Sequence, residues 1–214
     1  MGKIIELESK YGPLRGHLSG KGPAILILPS WWGLNRFFLS FCEQVASEGF
    51  LTLGLDYYNA KVAASLAQAE LLHAVMQRSK MEKQVLEAFD WLAKDEVKAA
   101  AIGFSLGARF AYGLLLARPN TLTALVAFYG VGGGLYKNAA TEVMAHYAED
   151  DQYGAHSLAA KKMKTRLEDS LISIQSFTYP GTKHWFFEED RPEYNKEAAK
   201  NAWERTRKFL KTHA

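Results

Sequence analysis

Short runs that are apolar at every position alternate along the chain with longer runs whose apolar residues recur every three or four positions. Ala24 to Leu28 is apolar throughout and stops at Pro29, the pattern of a strand buried on both faces. Phe50 to Leu55, Val97 to Phe104, Thr123 to Tyr129, Val143 to Tyr147 and Leu171 to Thr178 read as further strands. Between them the spacing predicts helices over Arg36 to Ser47, closed by Gly49, and over Val62 to Lys94, in two pieces broken near Ser79. Leu106 to Ala117 is a helix halted by Arg118-Pro119, with Leu106, Phe110 and Leu114 on one face. Helices over Leu158 to Leu167 and Pro192 to Lys211 complete the series.

Such alternation implies an α/β fold: a mostly parallel, twisted sheet with helices on both faces. The first residues break the rhythm. Ile4 to Leu7 and Leu14 to Leu18 flank Tyr11-Gly12-Pro13, which predicts a hairpin lying antiparallel at the sheet edge. At 214 residues and 48% hydrophobic content, the chain is long enough for a core without disulfides or metals, and residues 1–214 read as a single domain. A net charge of +3 argues against a nucleic-acid partner. The one cysteine, Cys42, cannot form an internal disulfide and reads as a core residue. The start lacks the apolar core of a signal peptide, and the run Ala24 to Leu28 is far too short for a membrane span. The expectation is a cytoplasmic protein, monomer or homodimer, with no membrane partner.

Gly103-Phe104-Ser105-Leu106-Gly107 fits G-x-S-x-G and lies between a buried strand and a helix. A corner that tight strains Ser105 and exposes its oxygen, and the glycines remove the side chains that would collide across it. A serine needs a base to take its proton and an acid to orient that base, in the chain order Ser, acid, His. His17 and His73 come too early, His213 lies in the tail and His146 inside a strand. His184, in a turn just past a strand, is preferred to His156. Glu149, Asp150 and Asp151 all follow a strand, and spacing does not choose among them. The oxyanion of acyl transfer needs two donors. The amide of Leu106 is one, and the loop after Leu28 supplies the other, for which Trp31 is the choice.

Four segments spread over most of the chain resemble the dienelactone hydrolase family of the α/β-hydrolase superfamily. Trp32-Gly33-Leu34-Asn35 resembles its F-G-x-N loop, and Gly103 to Arg109 its G-[FY]-C-x-G-G-R elbow. His146 to Tyr153 resembles H-F-G-x-x-D-P-x; Tyr179 to Phe186 and Arg191-Pro192-Glu193-Tyr194 resemble Y-x-G-x-x-H-x-F and R-P-x-Y. The resemblance implies an α/β-hydrolase fold with nucleophile Ser105, acid Asp151 and base His184. It departs from the best-known members at Ser105, where they carry Cys, and at Ser30, where they carry a Glu. Ala108 replaces the second Gly of the elbow, and Glu188 stands where those members carry a substrate-binding Arg. A carboxylate at 188 is expected to repel an anionic lactone.

Trp32, Trp185, Phe186 and Tyr129 follow strands or neighbour the candidate triad and are read as substrate-binding residues of an apolar pocket. The short chain leaves no room for a cap domain. No H-E-x-x-H, cysteine cluster or G-x-G-x-x-G occurs, so neither a metal nor an organic cofactor is implied. The sequence therefore points to a serine-dependent carboxyl-ester or lactone hydrolase working on a small molecule. A thioesterase or acyl-protein hydrolase with the same triad, and a non-catalytic ligand-binding protein on the same scaffold, are the alternatives.

Overall fold

The computed structural model describes residues 2–94, 98–137 and 139–214. Eight strands form one sheet in the order β1-β2-β4-β3-β5-β6-β7-β8. They are β1 (Lys3–Leu7), β2 (Leu14–Gly20), β3 (Ala24–Leu28), β4 (Leu51–Asp56), β5 (Ala99–Phe104), β6 (Leu122–Phe128), β7 (Glu142–Asp150) and β8 (Ile174–Lys183). The six from β4 to β8 run parallel, while β1 and β2 pair antiparallel at one edge, β2 against β4. The predicted hairpin is thus present and carries the sheet from an edge strand into the parallel core. Val97, the predicted start of β5, lies outside the described residues.

Among the described residues, six helices cover the sheet: α1 (Arg36–Ser47), α2 (Leu66–Val75), α3 (Arg78–Leu92), α4 (Leu106–Ala117), α5 (Ser157–Asp169) and α6 (Lys196–His213). Strand alternation divides the core between the two faces. In β3, Leu26 and Leu28 pack with Val85 and Phe89 of α3 and Leu114 of α4. Ile25 and Ile27 pack on the other side with Phe38 and Phe41 of α1 and Leu210 of α6. Both faces of the central strands are dry, which is why they read as unbroken apolar runs.

Several boundaries differ from the sequence reading. β8 begins at Ile174, not Leu171, because Leu171 takes φ +58° in the turn that ends α5. It continues through Pro180 to Lys183, so the expected turn at Tyr179–Lys183 is strand; at the sheet edge Pro180 forfeits no ladder bond. α6 starts at Lys196, not Pro192, because the Asn195 side chain caps it by accepting from the Ala198 amide. The break between α2 and α3 falls at Met76–Gln77, just before Ser79.

Candidate active site

Every predicted site residue lies within four positions beyond the carboxyl end of a parallel strand. β5 runs into Ser105, and α4 starts at the next residue. Ser105 adopts φ +51° and ψ −109°, a conformation that costs a non-glycine residue on the order of 1–3 kcal/mol. The corner closes because Gly107 has no Cβ; one placed there would run into the Leu28 carbonyl oxygen, and one on Gly103 into the Gly107 carbonyl oxygen. Tyr129 (φ +38°) and Trp185 (φ +67°) share the left-handed region, so three strained non-glycine residues face one cleft.

The pairing of β7 with β8 brings the candidate acid and base together. After a register shift beyond Ala148, Asp150 pairs with Lys183, so the residues that follow, Asp151 and His184, emerge side by side. His184 Nδ1 lies 2.7 Å from Asp151 Oδ2, and its Nε2 lies 2.8 Å from Ser105 Oγ. Asp151 Oδ1 accepts from the Tyr153 amide at 2.8 Å, which fixes the carboxylate plane. Asp151 and His184 are buried, while Ser105 is half-exposed. The neighbouring acids point elsewhere: Glu149 is exposed and accepts from the Gly181 amide at 2.9 Å, and Asp150 is exposed. Of the other histidines, His156 caps α5. His146 lies buried within β7 between Tyr179 Oη and Thr206 Oγ1, where burial lowers its pKa to about 3 and keeps it neutral.

Ser105 opens into a cleft of about 290 Å³. Trp31, Leu106, Tyr129 and Trp185 line it, four of the residues singled out from sequence. Leu106 is the first residue of α4, where a backbone N–H has no acceptor within its own helix. Trp31 and Trp185 stack at 5.9 Å, and Tyr153 lies 4.5 Å from Trp185 and 5.1 Å from His184, centroid to centroid. Among the described residues, no group of three or more His, Cys, Asp or Glu side chains could hold a metal ion, and no helix is long and apolar enough to cross a membrane.

A sequence profile of the dienelactone hydrolase family matches residues 14–214. The chain belongs to the dienelactone hydrolase family. As a member of that family it is a carboxylic ester hydrolase. It is 26% identical over 230 residues to a protein of Aquifex aeolicus that carries the provisional name carboxymethylenebutenolidase, a match covering 100% of this chain and 99% of the other. Among solved structures, it resembles a dienelactone hydrolase-like promiscuous phosphotriesterase from metagenomic libraries, with TM-score 0.80 and 20% identity, covering 100% of this chain and 99% of that one. The dienelactone hydrolase of Anabaena variabilis superposes with TM-score 0.71 at 16% identity, covering 100% and 98%. At such identities these likenesses establish the α/β-hydrolase fold.

Two expectations for this dienelactone hydrolase family member need correction. Trp32 and Phe186 are not in the cleft wall but behind it. Trp32 meets the edge of Trp185 at 5.1 Å and lies under the Arg191 guanidinium, and Phe186 is wholly buried against Tyr129 and Tyr179. Glu188 does not face substrate, so it cannot repel an anionic lactone from the cleft wall. It is wholly buried, with Oε2 accepting from the Ser30 hydroxyl at 2.9 Å and Oε1 from the Tyr129 hydroxyl at 2.8 Å. Burial raises its pKa to about 8, so it is mostly protonated at neutral pH. Among the cleft residues that sequence reasoning missed are His73, Arg109 and Tyr153. Arg109 follows Ser105 by one helical turn and Tyr153 follows Asp151 by two residues, spacings that could have found them. His73 comes from α2, and no sequence signal placed it there.

Proposed function

We propose that this enzyme hydrolyses uncharged acyl or aryl esters and lactones through a Ser105-His184-Asp151 triad and an acyl-enzyme. The observation that carries the reading is the unbroken line of hydrogen-bond distances from Ser105 Oγ through His184 to Asp151, 2.8 and 2.7 Å. An ionised Asp151 favours the tautomer with the proton on Nδ1, which leaves the Nε2 lone pair to accept from the serine hydroxyl. Serine oxygen then attacks the carbonyl carbon while its proton passes to Nε2. The oxyanion develops toward the amides of Leu106 and Trp31. Collapse expels the alcohol, which takes the proton from His184. Water, deprotonated in turn by His184, attacks the acyl carbon and releases the acid with Ser105 restored.

The walls support the substrate class. Trp31, Tyr153 and Trp185 give the cleft flat apolar surfaces suited to a planar or short acyl group. The groups involved come from the ends of strands in one sheet, which supports reading residues 1–214 as one hydrolase domain. The test is turnover of p-nitrophenyl esters together with labelling by a fluorophosphonate. Ser105→Ala and His184→Ala should each lower turnover on the order of 10⁴–10⁶-fold, with labelling lost in Ser105→Ala. Full turnover by either variant, or a wild type that neither turns over nor labels, overturns the proposal.

A further inference from the structure

Ser30 and Glu188, two of the positions where the sequence departs from the family pattern, touch each other. They lie 158 positions apart in sequence, yet the Ser30 hydroxyl donates to Glu188 at 2.9 Å. The other oxygen of the same carboxyl accepts from Tyr129 at 2.8 Å. None of the three residues has any exposed surface. Each belongs to a different loop of the site. Ser30 immediately precedes Trp31, a proposed oxyanion donor. Tyr129 follows β6 in a strained conformation, borders the cleft and holds its ring 4.9 Å from that of His184. Glu188 lies on the turn that carries His184, anchored there by its own amide donating to the Trp185 carbonyl at 2.9 Å.

We propose that Glu188 is a positioning residue whose buried carboxyl fastens the oxyanion loop and the Tyr129 wall to the loop bearing His184. The inference rests on the triad reading above. Three loops entering from β3, β6 and β8 have no covalent reason to keep a common geometry, and displacements near 1 Å at a reacting centre can cost about 10²-fold in rate. One carboxyl, with an oxygen for each hydroxyl, joins them at a single point. A hydroxyl can also accept, so when the carboxyl is neutral its proton is donated to one partner while the carbonyl oxygen accepts from the other.

The arrangement also sets a pH limit. The groups facing Glu188 are the Tyr129 phenol from β6 and, along its own loop, Asp190 and Arg191, which pair with each other at 3.2 Å. Ser30 contributes no charge from the β3 side. None of these neutralises an ionised carboxylate at 188, so loss of its proton leaves a negative charge one residue from the proposed oxyanion donor. That charge opposes the transition state.

The experiment measures kcat and KM separately for p-nitrophenyl acetate from pH 6 to 10, in wild type, Glu188→Gln, Glu188→Ala and Ser30→Ala. At pH 7, Glu188→Ala should lower kcat by roughly 10–100-fold with little change in KM, and Glu188→Gln should restore it to within about threefold. Wild type should lose kcat on an alkaline limb near pH 8 that Glu188→Gln lacks. A wild-type kcat in Glu188→Ala, or an unchanged alkaline limb in Glu188→Gln, overturns the inference. If Glu188→Ala does not fold, Ser30→Ala and the Glu188→Gln profile decide, the former expected to lower kcat several-fold. Ser105→Ala in the same series separates the two levels: its loss of activity beside wild-type behaviour in every Glu188 and Ser30 variant refutes the positioning role alone.

Discussion

Glu188 should make the stability of the protein fall with pH across a range in which most proteins are near their maximum. In the folded chain its pKa is about 8, against an ordinary 4.5, because desolvation of the buried carboxyl outweighs the lowering by its two hydroxyl partners and by Arg191, which Asp190 opposes. The folded state therefore holds a proton that the unfolded state has released throughout the interval between those values. Where the folded state binds more protons, unfolding free energy declines as pH rises, by up to about 1.4 kcal/mol per pH unit for one group. The contribution is complete below pH 4.5, wanes from there to pH 8 and is gone above it. Over the whole interval it amounts to on the order of 5 kcal/mol, a large part of the stability of a typical domain. Other groups titrate in the same range, so the informative quantity is the difference between wild type and Glu188→Gln. Urea unfolding at pH 5, 6, 7, 8 and 9 gives it directly. Wild type should lose ground steadily to Glu188→Gln up to about pH 8, after which the gap should hold constant. Parallel curves for the two proteins would mean that Glu188 is ionised or solvated in the folded state, and the electrostatic reasoning would fall.

Other outcomes follow from the same geometry. Asp151→Asn should cut ester turnover on the order of 10⁴-fold by upsetting the His184 tautomer, while exposed Asp150→Asn should leave it within about threefold; steady-state kinetics of both variants will show whether the acid is correctly assigned. Ser105→Gly should be more stable than Ser105→Ala by about 1 kcal/mol, because only glycine takes φ +51° without strain; thermal melts that reverse the order refute the strain. Cys42 is wholly buried, and burial pushes its thiol pKa far above the usual range, so the native enzyme should react with a thiol reagent only on unfolding.

Much of the fold was legible because the parallel strands are dry on both sides and could only be written in apolar residues. The proposed nucleophile was legible for a steric reason: the corner at Ser105 tolerates no side chain at Gly107, so the glycines announce the turn. The proposed acid was not. Glu149, Asp150 and Asp151 are chemically alike, and only the shifted register between β7 and β8 turns the last of them toward His184. Pro180 and Gly181 resemble a turn and concealed the final residues of β8, since an edge strand accepts what an inner strand would reject. Glu188 misled for a related reason. Its residue type suggests a charge facing water, and two hydroxyls from loops distant in sequence make it a buried acid instead. Trp32 and Phe186 show that neighbours of a catalytic group in sequence alternate between the cleft and the core behind it.

The strand that leads into His184 is the outermost of the sheet, with a row of backbone groups unpaired along its outer side. Such a row invites a strand from another molecule to zip onto it. Here the invitation is spoiled from within: Pro180 has no proton to offer, Gly181 turns the backbone at φ +66°, and the flank carries the charge of Lys183. The irregularities that bring His184 to its place thus also keep that margin from serving as a seed for aggregation.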